Sequence, residues 1–589
     1  MRSMITACLF LCASFSVMAA LEEEFRNPPA WTKPWSYWFW MDGDVTEEGI
    51  TKDLEIMAEL GIQRAIIMNV HHGKKKQTGP VVKTHSTQWR ELTRYALREA
   101  KRVGVEFAMF NCAGWSQSGG PWNTPEHSMR FVTWNEVEAQ GGDFRHDIRP
   151  KGIHVQDIAV LAVPRTGSVT IRKLCRTKEL TFTHTAPFAA RSLSFSPNKD
   201  NYAFAATLYA KQPAGKQVPV REFREAVRGR NAKTSFLPLG PETFSFKTVR
   251  ARTFILKIRH AAGVDHVELS SEPKVAQVVE KQLGRMHPTP KPRWDTYFFP
   301  DTVEPDNPGQ IIDSKRILNL SDKLASDGVL SCQLPPGQWT VIYFGMTPTG
   351  KRNHPAAPEA TGLECDKMSR AAIKHHFNSM FSQLFSEMSP LEKSALKGVT
   401  VDSYEVGSQN WTDNFELEFK ARVGYDPVPW LPVLTGRVVG SARDSDLFLW
   451  NLRRQVADLI SINYVGELRE ICHKHGLTLW LENYGHWGYP GEFLMYGGYS
   501  DDVAGEFWST GTLGNIECRA ASSSGHIYGK KRIYAEAYTS GLNLRHHPAF
   551  FKSRGERMFC DGINHFVLNG QQKERSISSD LRSRCEPLI

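Results

Sequence analysis

Eight short runs of strand character recur along this chain, and long helical patterns separate most of them. This alternation constrains the fold more than any single motif, because parallel strands joined by helices must bury both faces of their sheet. The first three runs are SYWFWMD (Ser36 to Asp42), RAIIMNV (Arg64 to Val70) and VEFAMFNCAGW (Val105 to Trp115). Between them, Ile50, Leu54, Met57 and Ala58, then Leu92, Tyr95, Ala96 and Ala100, recur at helical spacing. The other five are VTVDSYE (Val399 to Glu405), LTLWLENYG (Leu477 to Gly485), DDVAGEFW (Asp501 to Trp508), RIYAEAYTS (Arg532 to Ser540) and INHFVL (Ile563 to Leu568). Together they predict an α/β fold, a (β/α)8 TIM-like barrel.

The pattern breaks once. From about Phe131 to Met346 helical periodicity nearly vanishes, and short alternating runs such as IAVLAVP, YAFAATLYA and WTVIYFGM are separated by Pro, Gly and Asn. This predicts a β-sandwich-like insertion after the third strand, with Met286 to Pro292 joining two parts of it. The expected organisation is a signal peptide over 1–20, the first part of the barrel over 21–130, and the insertion over 131–350. The second part of the barrel follows over 351–568, then a polar tail over 569–589.

Arg2, the apolar stretch Ile5 to Val17 and the small residues Ala19-Ala20 have the form of a secretory signal, predicting a secreted or periplasmic protein. The apolar run is too short to span a bilayer, and no later stretch reaches that length. A formal charge of +9 is spread over 72 basic and 63 acidic residues, with no basic face interleaved with aromatics, which argues against a nucleic-acid partner. Cys472-His473-Lys474-His475 lacks a second ligand pair at zinc spacing, so it reads as surface residues. No H-E-x-x-H, Walker, dinucleotide or G-x-S-x-G signature occurs, which argues against zinc proteases, NTPases, Rossmann enzymes and α/β-hydrolases.

Barrel enzymes keep their chemistry at strand C-termini. Asp42, Asn69, Asn111, Asp402, Glu405, Glu482, Asn483, Glu506, Glu536 and His565 fall at or near such ends. Glu405 closes one of these runs and Glu536 lies within another, 131 positions further on. Cleaving a glycosidic bond needs one carboxyl to protonate the departing oxygen and a second to activate water or attack the sugar. Trp38, Trp40, Trp115, Trp411, Trp480, Trp487 and Trp508 lie on these strands or the loops after them, where indole faces can stack on sugar rings. Asp402, Asn483, Trp40 and Trp487 are the candidates for touching the substrate.

Several long segments resemble glycoside hydrolase family 106, the α-L-rhamnosidase family. They are PWSYWFWMDGDVTEEGITKDLEIMAELGI, NHPAAPEATGLECDKMS, DSYEVGSQNWTDNFELEFKARVGYDP, LENYGHWGYPGEF and YAEAYTS, spread from about Asn27 to Leu568. The resemblance implies cleavage of α-L-rhamnosyl linkages with inversion and a calcium ion contacting sugar hydroxyls. On this chain it implies Glu405 as general acid, Glu536 as general base and Glu506 as a further essential carboxylate, with Glu482 and Glu506 as calcium ligands. An acid on strand four and a carboxylate on strand seven is also the arrangement of retaining barrel glycosidases. Those usually carry Asn before the strand-four glutamate, whereas Tyr404 stands here. The tail NGQQKERSISSDLRSRCEPLI has no helical periodicity, from which the expectation is a destabilised or inactive barrel, or a sugar-binding relic.

Overall fold

The computed structural model describes residues 22–73, 81–198, 202–227, 241–284, 299–485, 489–539 and 547–569. Eight parallel strands close into a barrel. They are β1 (Trp35–Met41), β2 (Arg64–Val70), β3 (Glu106–Phe110), β4 (Leu396–Val401), β5 (Thr478–Glu482), β6 (Asp502–Trp508), β7 (Ile533–Thr539) and β8 (His565–Leu568). Each pairs with its neighbour in sequence, and β8 returns to β1 in the register Trp35 to Val567. The strand expected to close on Glu405 stops at Val401, so Glu405 stands in the loop beyond it.

Side chains alternate across a strand, so closure sorts them into two cores. Inward-facing Tyr37, Ile66, Phe110, Trp480, Ala504 and Tyr534 plug the interior. Outward-facing Trp38, Ile67, Met109, Val399, Leu481 and Val503 pack beneath the helices. The longer helices are α1 (Glu47–Glu59), α2 (Thr87–Val103), α3 (Arg370–Glu387), α4 (Ala442–Leu459), α5 (Asn515–Ile527) and α6 (Pro548–Cys560). Thr46 and Ser86 cap α1 and α2 by accepting the Gly49 and Trp89 amides, satisfying donors that have no partner within the helix. Among the described residues, no helix is long and apolar enough to cross a membrane.

Asp53 on α1 is nearly fully buried and accepts the Trp38 indole N–H at 3.0 Å. Burial pushes its carboxyl up from 3.8 to about 7. The folded state therefore holds this proton to higher pH than the unfolded chain does. Its contribution to stability is whole below about pH 4 and is lost as the pH rises toward 7. Asp53→Asn retains an acceptor for the indole but cannot ionise. Thermal melts at pH 8 should show the variant more stable, by up to roughly 4 kcal/mol, with the gap closing near pH 4. A gap independent of pH would contradict this account.

The β-rich insertion is made of two antiparallel sheets, each with a core of its own rather than one core shared face to face as in a sandwich. One has four strands in the order Leu318–Asn319, Gln156–Pro164, Val329–Pro348, Arg130–Asp147. Its alternation serves two cores: Ile342, Phe344 and Met346 join the barrel's outer core, while Val341 and Tyr343 turn to a core on the other face. The second sheet has six strands and is built on Glu179–Pro197 and Glu242–Ala262. The pairing of these two strands shifts register at Ser245/Val249 and Ala251/Thr253, and the sheet encloses its own cluster around Phe182, Phe195 and Phe254. The Pro-rich joint at Met286 to Pro292 lies outside the described residues.

Buried charge straps the insertion to the loop after β4. Arg130, where the insertion begins, bonds Asp366 at 3.0 Å and Asp413 at 2.9 Å. Asp366 also accepts from Gln409 and Thr412, both at 2.6 Å. Such a network holds its members in one geometry because each buried polar group would be costly to leave unpaired. It anchors the 409–413 stretch of the loop that carries Glu405.

Candidate active site

The plug sets the level of the site. Trp480, Ala504 and Tyr534 face inward, so two residues further along each strand Glu482, Glu506 and Glu536 face the same way, above the apolar floor. Glu506 and Glu536 are register partners on β6 and β7, and Glu482 pairs with Ala504. Asp402 follows β4 directly. The segment after it is pinned to the end of β5: the Tyr404 amide donates to the Tyr484 carbonyl at 3.1 Å, and Tyr404 bridges to Gly485. A Cβ on Gly485 would lie 2.7 Å from the Tyr404 Cβ and carbonyl oxygen, so only glycine permits that approach. Gln117 donates its side-chain amide to the Asp402 carbonyl.

Asp402, Glu482, Glu506 and Glu536 are all buried, whereas Glu405 is half-buried. Burial, then the charges of Glu536 and Glu405, push the Asp402 carboxyl up to about 8. Burial, followed by Asp402 and Glu536, holds Glu482 well above the usual carboxylate range. Glu506 is raised in the same way, first by burial and then by Glu536, Asp402 and Glu405. Glu536 is raised by burial, against which hydrogen bonds from Thr539 and Asn569 act. The Tyr37 hydroxyl is held well above its ordinary value by burial and by the charges of these four carboxyls.

The glutamates differ in their hydrogen bonding. Glu506 is gripped on both oxygens, Oε2 by the Tyr484 hydroxyl and Oε1 by the Trp508 indole N–H at 2.5 Å. Thr539 and the Asn569 amide, the latter at 2.5 Å, both donate to Oε1 of Glu536, which orients that carboxylate. The left-handed backbone at Tyr538 (φ 63°) breaks the alternation of β7; Tyr538 packs outward on Phe507 and Phe566. Among the described residues, no hydroxyl, amide or indole N–H donates to Glu482, whose buried oxygens face the carboxyls of Asp402 and Glu536. Asp402, Glu482 and Glu536 each present an oxygen within 4.8 Å of the others, a set able to hold a metal ion. Glu506, expected with Glu482 as a calcium ligand, stands outside that set.

Several expected site residues are placed elsewhere. Trp40 faces outward, its ring edge-on to Trp38 at 5.7 Å, and lines a cavity of about 120 Å³ with Asp42, Asn69, His71 and Trp89. It therefore does not face the carboxylates. Asn483 turns away to α5, donating to the Ala520 carbonyl at 3.2 Å. His565 begins β8 instead of ending it and bonds the Trp31 carbonyl at 2.9 Å, at the opposite end of the barrel. Trp487 and the segment 1–20 lie outside the described residues. Of the run Cys472 to His475, Cys472 is buried and His473 pairs with Asp501 at 2.9 Å.

Tyr37, Tyr484, Thr539 and Asn569 were not anticipated. Tyr484 lies two residues past Glu482, so the period of a strand was a signal for it. Asn569 falls in the stretch expected to be an atypical tail, yet it bonds Glu536.

Carboxylates gathered at the C-terminal mouth of a parallel barrel can exchange protons with a bound molecule and bind hard cations. Comparison with known proteins agrees with this chemistry. A family model described as alpha-L-rhamnosidase matches residues 26–576. A Formosa agariphila protein provisionally named a beta-glucuronidase is 31% identical over 553 residues, covering 93% of this chain and 38% of that protein. The solved structure of a rhamnosidase from Novosphingobium sp. PP1Y is similar at a TM-score of 0.77 and 26% identity, over 93% of this chain and 56% of the other. The chain thus spans less than two thirds of the length of either relative. By the match over residues 26–576, it belongs to glycoside hydrolase family 106, the alpha-L-rhamnosidase family.

Proposed function

We propose that this chain is an exported glycoside hydrolase that removes terminal α-L-rhamnosyl units from polysaccharides with inversion. In this reading the closed barrel is of the (β/α)8 kind, Glu405 is the general acid and Glu536 the general base. The observation that carries the proposal is the convergence of Asp402, Glu482, Glu506 and Glu536 above the plug, with Glu405 beside them, in a chain of this family. Export rests on the form of residues 1–20 alone.

The acid must hold a proton until the glycosidic oxygen departs, and the base must take one from water on the opposite face of the sugar. Glu405 suits the first role because it is half-buried beside other carboxylates, where it can meet both solvent and the leaving group. Glu536 suits the second because Thr539 and Asn569 fix its orientation. The paired grip of Tyr484 and Trp508 makes Glu506 a rigid hydrogen-bonding wall.

Calcium fits the residues present. Asp402, Glu482 and Glu536 offer hard oxygen atoms at mutually close range, and a cation among them would replace the protons that these crowded carboxyls otherwise hold. When bound, the ion would offset the mutual repulsion of these carboxylates and order sugar hydroxyls. Glu536 belongs to this set and is also the proposed base, so the two roles need separate tests. Glu536→Gln should abolish turnover while weakening calcium binding less than Glu482→Gln does.

The relative's name raises a uronic acid as a second substrate. Among the described residues, burial and neighbouring carboxylates are what raise Asp402, Glu482 and Glu506. An acidic lining of this kind favours a neutral deoxy sugar over a carboxylated one. The deciding assay offers the chain an aryl α-L-rhamnoside and an aryl β-D-glucuronide, with the first-formed anomer followed by NMR. Rhamnose released with inverted configuration is the expected result. Retained configuration would remove the inverting mechanism, and glucuronide turnover alone would remove the substrate assignment.

A further inference from the structure

Trp508 is the next residue on β6 with the parity of Ala504 and Glu506, and it stands at the rim. Ala504 belongs to the plug, Glu506 to the carboxylate level, and Trp508 is 38% exposed where Glu506 is buried. An exposed tryptophan on a barrel strand is a cost unless something covers it, since its large apolar face is left in water. Yet the ring is held in place. Its N–H is bound to Glu506 at 2.5 Å, which fixes one edge of the indole at the site and leaves other ring surface open.

The backbone beneath it is equally fixed. Arg554 on α6 donates to the carbonyl of Trp508 at 3.1 Å and to that of Leu513, spanning both ends of the loop after β6. The Trp508 amide reaches the Leu513 carbonyl at 3.4 Å, and the Ser509 amide bonds the Thr539 carbonyl at 3.1 Å. Thr539 is the register partner of Trp508 and the residue that grips Glu536. The indole thus sits beside Glu506 on a strand end whose register partner, Thr539, holds Glu536.

We propose that Trp508 is the stacking platform for the leaving-group side of the cleft, receiving the sugar ring to which the departing rhamnosyl unit is attached. This rests on the glycosidase reading above. Two residues along a strand rise roughly 6–7 Å, so a ring on Trp508 lies beyond the unit held among the carboxylates. An indole face accepts the apolar C–H face of a pyranose while leaving its hydroxyls in water, and it discriminates by ring shape rather than by charge. Trp508 therefore sets preference for a ring-bearing leaving group.

The test uses the full chain in a Glu405→Gln background, which stops turnover, with calorimetric titration of L-rhamnose and of an α-L-rhamnosyl disaccharide. The disaccharide should bind about tenfold more tightly than rhamnose. Adding Trp508→Ala should erase that ratio, whereas Trp508→Phe, which keeps an aromatic face but has no N–H, should keep most of it. A ratio unchanged by Trp508→Ala overturns the platform, as does equal loss in the Ala and Phe variants for both sugars, which would mark Trp508 as acting only through Glu506. Failure of either sugar to bind a chain with an unchanged thermal melt overturns the glycosidase reading and the platform with it.

Discussion

Glu405→Gln is expected to slow rhamnose release from a disaccharide by roughly 10²- to 10⁴-fold, the usual worth of a positioned general acid. An aryl rhamnoside with an activated leaving group should lose much less, because a stable phenolate departs without a proton. The contrast isolates proton donation from sugar binding, which both substrates share. Glu405 is the half-buried member of the carboxylate group, and glutamine preserves its volume while removing the proton it would donate. Equal losses on the two substrates would take the acid role away from Glu405. A parallel Glu506→Gln variant provides a comparison, since Glu506 is held from both sides by Tyr484 and Trp508 and should lose activity on both substrates alike.

Removal of calcium should have an effect of similar size. A chelator is expected to abolish rhamnose release and lower the melting temperature, and added calcium should restore both. Magnesium should restore less, because it gives up its water reluctantly and demands a tighter octahedral shell. At calcium a hundredfold above its dissociation constant the linkage contribution is about 2.7 kcal/mol. Glu482→Gln should cross over. Without calcium it removes one of three mutually repelling buried carboxylates and should melt higher than wild type, whereas with calcium it loses a ligand and should melt lower. Full activity and an unchanged melt in chelator would leave the Asp402, Glu482 and Glu536 cluster without a metal role.

The strands of the barrel were readable because a sheet covered on both faces demands continuous apolar runs, and RAIIMNV coincides with β2 from Arg64 to Val70. The same property hid the direction of each side chain. A strand buried on both faces carries no polar alternation to mark its inner side, so Trp40 looked as suitable for the cleft as any neighbour. Closure placed Tyr37 and Phe39 inside, and therefore Trp38 and Trp40 outside. The six-stranded sheet, with its own core, was likewise invisible as a separate unit, because short alternating runs do not say which sheet they join.

The site divides along the same line. Glu482, Glu506 and Glu536 could be picked out from residue type and position, since a carboxylate inside an apolar run has few structural reasons to be there. The hydrogen bonds and cluster that distinguish them depend on distances across the barrel. Tyr484 reaches Glu506 from just beyond the neighbouring strand, and Asn569 reaches Glu536 from beyond the last one. Asp402 joins Glu482 because β4 stops at Val401, a boundary set by pairing with β3 and β5 rather than by local propensity. Local composition and periodicity thus dictated the strands and the carboxylates in them. Which carboxylates lie close enough to hold a cation, which are clamped and which meets solvent was decided by closure of the barrel, because those properties arise between strands and no single strand contains them.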